Sequence, residues 1–367
     1  MGVPSELRYA WRSLRRRSAY SLTCALTLAL VLGANSAIFT VANATLLRPM
    51  PFAARGPVVH LFANPPGTTD VLQRNPLQQM EVPRIRTGAH TIARLEGFFP
   101  QERVLTLAGE PEVAPCAAVT PGLLAMLAAP VAQGRAFTAA EGEPGHPVAI
   151  VTDAFWRTVL GSKPVLGTAL VIDGQPHTIV GVLSPAFAVP FLPAQVLTPL
   201  VVSADPKPRQ PALSVVSLAE LVPGATIEQA RDELTGIYRE LSREFPKTHT
   251  YWTIGVETAR EWQYGALRTP LLMLLAAAGL VLLIGCANLA NLTSADATAR
   301  AHELSLRVAL GASVADLVRL HVAELLILAA AGLVPGLLLA RAAVPVLLAI
   351  NPTVAQSIGD VAIDWRV

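Results

Sequence analysis

From Ser18 to Leu47 the chain runs for 30 residues without a charged side chain, whereas a helix of about 20 apolar residues already crosses the hydrocarbon core of a bilayer. A run of this length without a charge is a membrane segment, and its presence restricts the rest of the chain to a limited set of layouts. Thr269 to Ala295 is a second charge-free run, of 27 residues, and Leu325 to Ala340 a third, of 16, which extends backward through Val322 and Ala323. The composition agrees: 52% of residues are hydrophobic, only 15% charged, and the mean hydropathy is +0.48, beyond what an ordinary soluble domain carries.

Charge sets the direction. Residues 1–17 hold five arginines (Arg8, Arg12, Arg15, Arg16, Arg17) against one acid, Glu6, while residues 48–268 hold 18 basic and 19 acidic residues. The positive-inside rule therefore puts the N-terminus in the cytoplasm and residue 48 onward outside. The second run returns inward, so the segment with Arg300, Arg307 and Arg319 is cytoplasmic, and the third run ends outside near Arg341. A cleaved signal peptide is the competing reading, since Ala42-Asn43-Ala44 has the small residues of a cleavage site. Signal cores are about 7–15 residues, shorter than this run. Upstream, Leu7, Trp11 and Leu14 share a helical face from which Arg8, Arg12 and Arg15 point away, which reads either as an amphipathic helix suited to the membrane surface or as the arginine-rich flank of the first membrane helix. A net charge of +2 leaves no basic field for nucleic acid.

The expected layout is an α-helical membrane protein with three predicted transmembrane helices and a large α+β extracytoplasmic domain. Its parts are a cytoplasmic basic helix over 1–17, spans over 18–47, 269–295 and 322–341, an external domain over 48–268, a cytoplasmic loop over 296–321 and an external segment over 342–367. Within 48–268, Asp173-Gly174 sits between the β-branched runs Ala169–Ile172 and Thr178–Val182 and predicts a tight hairpin. Pro147 to Val151 reads as a buried strand, followed by a helix capped by Thr152. Thr226 and Gln229 form a capping box for a helix that buries Ala230, Leu234, Ile237 and Leu241 and stops at Phe245-Pro246.

A search for chemistry leaves little. His302-Glu303 begins like a zinc-protease HExxH, but position 306 is Leu306. There is no G-x-S-x-G elbow, and His60, His90, His146 and His177 are scattered. Gly161-Ser162-Lys163 lacks the earlier glycine of a phosphate loop. No catalytic group, cofactor or metal is expected, and Cys24, Cys116 and Cys286 offer no disulfide framework within the domain.

The loop between the second and third runs reads helix, break, helix. Arg300, Glu303 and Arg307 fall at i,i+3 and i,i+4 spacing, Gly311 ends the first helix and Ser313 caps the next. A short firm helix held between two spans is what a lever requires, and an ordinary solvated loop is the competing reading of the same residues. The run Glu303-Leu304-Ser305-Leu306-Arg307-Val308-Ala309-Leu310-Gly311-Ala312-Ser313 resembles the E-I-x-x-R-x-A-L-G-A-S signature of the FtsX-like, MacB-type ABC transporter permeases. Leu28 to Phe39 with Leu46-Leu47-Arg48-Pro49 is similar to the first span of that family, and Gly285 to Leu292 to the end of its second. Gly134-Arg135-Ala136-Phe137, Asp173 to Val182 and Pro223 to Ala230 are similar to its MacB-like periplasmic core domain.

The resemblance implies a bacterial inner-membrane permease subunit for efflux or export. Glu303, Leu306, Arg307, Leu310 and Gly311 would contact a separate ABC ATPase subunit, so that the chain itself is no enzyme. It further implies a second permease unit, a dimer-like assembly, lipid around the helices and a periplasmic adaptor as a further partner. The family unit has four membrane helices, which makes a chain ending at Val367 an expected truncation before the fourth. The alternative within the same resemblance is an FtsX-like membrane-anchored regulator acting on a periplasmic partner. Gly332 and Gly336 form a small-xxx-small pair for close helix packing, Pro335 predicts a kink, and Asn288 and Asn291 lie about one turn apart near the inner end of the second span.

Overall fold

The computed structural model describes residues 12, 14–15, 17–47, 50, 56–65, 74–107, 110–187, 191–192, 194–203, 214–249, 252–309 and 313–350. It divides into two compact units, one of residues 1–48 and 266–367 and one of residues 49–265. The first long helix, α1 (Ser18–Ala42), continues into a π-helical turn at Asn43–Leu47.

The second unit is built on an 11-stranded sheet. Its elements follow in chain order: β1 (Val58–Asn64), β2 (Leu77–Gln78), α2 (Glu81–Gly88), β3 (Ile92–Leu107), β4 (Glu110–Val119), α3 (Leu123–Met126), β5 (Val131–Gly134), β6 (Val148–Val151), α4 (Asp153–Thr158), β7 (Ala169–Ile172), β8 (Gln175–Leu183), β9 (Val196–Pro199), β10 (Ser214–Leu221), α5 (Ile227–Glu244), α6 (Pro246–His249) and β11 (Thr253–Thr258). The strand order is β11-β1-β10-β3-β4-β9-β6-β8-β5, with β2 added to β10 and β7 to β3 and β8. Most pairs are antiparallel, while β4 with β9 and β6 with β8 are parallel.

The local signals explain these elements. Asp173 (φ 50°) and Gly174 (φ 77°) make the turn between β7 and β8, positive angles that the Asp-Gly pair tolerates. The Asp173 carboxylate also accepts from the Val104 N–H (2.9 Å) and the Arg103 guanidinium (2.7 Å). The backbone N–H of Val104 first, then Arg103, holds its carboxyl below the usual aspartate range. Thr152 accepts from the Phe155 N–H at the start of α4, and both halves of the Thr226/Gln229 capping box are present on α5. Ala230, Leu234, Tyr238 and Leu241 of α5 pack into a core with Val59, Leu61, Val215 and Ile254. Ile237, placed on that face by the spacing, is only partly buried against it.

A buried polar network ties α2, α5 and α6 together. The Glu81 carboxylate, with no exposed surface, accepts from the Gln78 N–H (2.8 Å) and the Tyr238 hydroxyl (2.9 Å) and meets His249 Nε2 at 2.9 Å. β4 pairs with β3 along its whole length but with β9 only from Cys116 to Val119, so among the described residues Glu110 to Ala114 form an edge, with Pro111, Glu112 and Val113 exposed.

β11 leads into α7 (Ala259–Ala299) without an intervening loop. Thr258 and Glu261 cap this helix reciprocally: the Thr258 N–H donates to Glu261 (3.1 Å), and the Glu261 N–H donates to Thr258 Oγ1 (3.0 Å). The helix starts ten residues before the charge-free run because the cap precedes residues that are polar but favour helix. Then follow α8 (Ala301–Ala309) and α9 (Val314–Ile350), the latter with Pro335 and Pro345 inside it. With neither glycine nor proline between Val314 and Ala331, the segment beginning at Ser313 does not form a separate helix and runs on into the third span. Among the described residues three helices are long and apolar enough to cross a membrane: Ser18–Leu47, Ala259–Ala299 and Val322–Val346.

Candidate functional site

In the membrane unit α1 and α9 lie against each other through small residues. A Cβ placed on Gly332 would stand 2.6 Å from Leu28 Cβ and 3.2 Å from the Ala25 carbonyl oxygen. One on Gly336 would stand 3.1 Å from the Ala29 oxygen, and one on Gly33 2.8 Å from the Gly336 oxygen. Glycine at all three positions lets the backbones come together. α7 reaches α1 at Gly285, where an added Cβ would meet Val31 Cγ2 at 2.7 Å. Leu14, Cys24 and Leu328 form a small buried cluster, with Tyr20, Leu28, Leu289, Leu292 and Ile327 packed around it.

Next to that cluster, charge is concentrated. Arg17, just before α1, contacts Asp296 of α7 and Glu324 of α9 (3.2 Å to the latter). Arg300 contacts the same two acids, Asp296 at 2.7 Å and Glu324 at 2.9 Å, the second through two guanidinium nitrogens on two carboxylate oxygens. Arg17 also lies over the Tyr20 ring, 5.7 Å from its centroid. Side-chain exposure is 24% for Arg17, 11% for Asp296, 16% for Arg300 and 4% for Glu324. The α1 start, the α7 end and the early part of α9 are thus held together by opposite charges at one end of the bundle.

α8 follows at once. Leu306 on it is 51% exposed. Glu303 and Arg307 lie on the same helix, their side chains outside the described ones, and Leu310 and Gly311 fall outside the described residues. The Arg300 guanidinium contacts Asp296 and Glu324; its expected pairing with Glu303 and Arg307 falls on side chains outside the described ones. Trp11 and Leu7 of the basic N-terminal segment lie outside the described residues, and Asn288 and Asn291 are exposed on α7.

The sequence reading missed Asp296 and Glu324, although the signal was present. Asp296 immediately follows the second charge-free run and Glu324 immediately precedes the third; an acid at the edge of an apolar span calls for a partner.

The histidines of the sheet domain do not gather into a site. His60 sits on β1 with Nδ1 3.2 Å from Glu257 and stacks on Trp262 at 4.2 Å. Burial is the main reason that its pKa lies below the usual histidine value. His177 Nδ1 is 3.0 Å from the Gln175 carbonyl oxygen. Among the described residues no group of three or more His, Cys, Asp or Glu is placed to hold a metal ion.

The architecture defines an integral membrane protein with an extracytoplasmic α/β domain inserted between its first and second membrane helices. Comparison with known proteins then makes it specific: residues 21–237 match the model of the MacB-like periplasmic core domain, and residues 275–365 match the FtsX-like permease C-terminal region. The chain belongs to this FtsX-like, MacB-type ABC transporter permease family. A curated relative, the pyoverdine export ATP-binding/permease protein PvdT of Pseudomonas aeruginosa, is 24% identical over 244 residues, which is 63% of this chain and 35% of the relative. The chain therefore spans about a third of the length of that relative. Among solved structures, the periplasmic region of MacB from Actinobacillus actinomycetemcomitans aligns with a TM-score of 0.42 at 10% identity, covering 57% of this chain and 92% of that one. The extracellular domain of the ABC-type transporter YknZ from Gram-positive bacteria aligns with a TM-score of 0.40 at 14% identity, covering 54% and 99%.

Proposed function

We propose that this chain is the permease unit of an ATP-driven exporter. α8 and the turn after it receive a separate cytoplasmic ATPase, and the domain of residues 48–268 works outside the bacterial inner membrane. The observation that carries this reading is a short helix with an exposed leucine, Leu306, joined through Arg300, which pairs with Glu324, to the end of α7, where Asp296 pairs with Arg17. A partner bound there acts on all three membrane helices. Glu303, Leu306, Arg307, Leu310 and Gly311 form the contact.

Orientation follows from charge. The Arg17, Asp296, Arg300 and Glu324 contacts bring the N-terminal flank and the 296–324 segment to one end of the bundle. In the sequence the five N-terminal arginines precede α1, and Arg300, Arg307 and Arg319 lie between the second and third spans. The positive-inside rule supports a cytoplasmic location for that end. A second permease unit and a periplasmic adaptor complete the assembly, and efflux or export is the activity that suits an external domain driven from inside.

The test is co-purification of the tagged chain from native membranes, with and without Arg307→Glu, scored for a bound ATPase. An ATPase that accompanies the wild type and is lost on charge reversal supports the reading. Absence of any ATPase from the wild-type preparation, with the domain of 48–268 accessible outside, overturns it.

A further inference from the structure

A push on α8 is useful only if it reaches α1 and α9 as well as the helix to which α8 is joined. The four charged side chains at the bundle end have the arrangement for this. They alternate in sign around a closed ring, Arg17–Asp296–Arg300–Glu324 and back to Arg17, every side of which is an ion pair. Two positive and two negative charges sum to zero, and each carboxylate is flanked by two guanidinium groups. Within the ring, neutralising any one member leaves the charges of the other three unbalanced.

A buried ion pair contributes little net stability compared with well-packed apolar groups of the same shape, yet breaking one is costly. What such a ring supplies is register. Apolar helix ends slide against one another at small cost, but forked guanidinium contacts hold only at one alignment. The ring is also next to α8: the Arg300 N–H donates to the carbonyls of Asp296 (3.1 Å) and Ala297 (3.2 Å), and Ala301 begins α8. Displacement of α8 must pass through Arg300.

We infer that Arg17, Asp296, Arg300 and Glu324 form an electrostatic clamp that joins the ends of α1, α7 and α9 into one body and passes movement of α8 to all three. The inference rests on the permease reading for the source of that movement, whereas the clamp is tested without it. These are positioning residues: they fix what moves together and touch no substrate.

The experiment uses the full chain in lipid nanodiscs, with Cys286→Ser removing the exposed native thiol. Spin labels are placed at Leu22→Cys on α1 and Ser305→Cys on α8, both exposed positions, and a second sample carries Val322→Cys of α9 in place of the α1 label. The wild-type ring gives one narrow distance distribution for each pair. Glu324→Gln turns both into broad distributions, and Glu324→Asp, which keeps the charge, recovers narrow ones. The double variant Arg300→Gln/Glu324→Gln keeps, of the ring, the charge-balanced Arg17–Asp296 pair, so it recovers the α1–α8 distribution and leaves α9–α8 broad.

Narrow distributions in Glu324→Gln, or Glu324→Asp no better than Glu324→Gln, overturn the clamp. ATPase co-purification from the same samples separates the two ideas. No ATPase with an intact narrow distribution removes the permease reading and keeps the clamp, while bound ATPase with an unresponsive distribution does the reverse.

Discussion

Replacing Gly332 by alanine should loosen the contact between α1 and α9. The added Cβ would stand 2.6 Å from Leu28 Cβ, whereas two carbons rest at about 3.5–4.0 Å, so the backbones must separate locally by about 1 Å. A gap of 0.5–1 Å forfeits roughly a quarter to a half of each dispersion contact along the shared face, and overpacking of this kind costs about 1–3 kcal/mol. Gly279 supplies the control, because an added Cβ there meets nothing within 4 Å. In that open position glycine to alanine gains up to about 1 kcal/mol of helix propensity. The two substitutions, chemically identical and both in apolar helices, should therefore shift stability in opposite directions. The assay is thermal melting of the detergent-solubilised chain, followed by helical circular dichroism. Gly332→Ala should melt below the wild type and Gly279→Ala at or above it. If both rise, the α1–α9 contact is not as close as described and the argument from small residues fails.

Two further outcomes concern the sheet domain. The Arg135 guanidinium, followed by the Thr138 N–H, draws the Glu141 carboxyl down to about 2 against opposing burial, so its folded pKa lies below the unfolded value. The stability it contributes is fully present above about pH 4.5 and is lost as pH falls through the folded value. Urea melts of wild type and Glu141→Gln should differ at pH 7 and converge as pH approaches 2; a constant difference would sink the assignment. Cys116 is buried, and burial pushes its thiol up to about 11. At pH 8 it should resist iodoacetamide in the folded protein and react once urea unfolds the domain, read by peptide mass mapping. Rapid alkylation of the native chain would contradict its burial.

The membrane helices and the turns were legible in the sequence because their causes are local. A charge-free run of 30 residues needs no distant partner to be recognised, nor do Asp173-Gly174 or the Thr226/Gln229 box. Helix limits were less so: α7 begins at Ala259 because Thr258 and Glu261 cap it, a signal masked by the polar residues before the apolar run. The ion ring was hidden for a different reason. Arg17 and Asp296 are 279 residues apart, and no periodicity connects them. Each looked like the flank of its own span. Strand order was equally out of reach, since β1 lies between β10 and β11, late strands that only the folded sheet brings to it.

The edge that β4 presents among the described residues bears on how anything could attach to the sheet domain. Pro115 turns its carbonyl outward to the Gln195 N–H (2.7 Å), which sets the parity of the strand: residues 111, 113 and 115 face the edge with their backbone groups. Two of these are prolines without an N–H, leaving Val113 as the outward donor over Pro111 to Pro115. With the Pro115 carbonyl already taken by Gln195, an incoming strand would find the carbonyls of residues 111 and 113 to donate to and the Val113 N–H alone to accept from. Extension of the sheet by another chain is therefore blocked along this stretch, which protects a domain with long strands from joining edge to edge with its neighbours. Any protein that docks on this hairpin has to recognise its side chains, Glu112 and Val113 foremost, and cannot do so by strand addition.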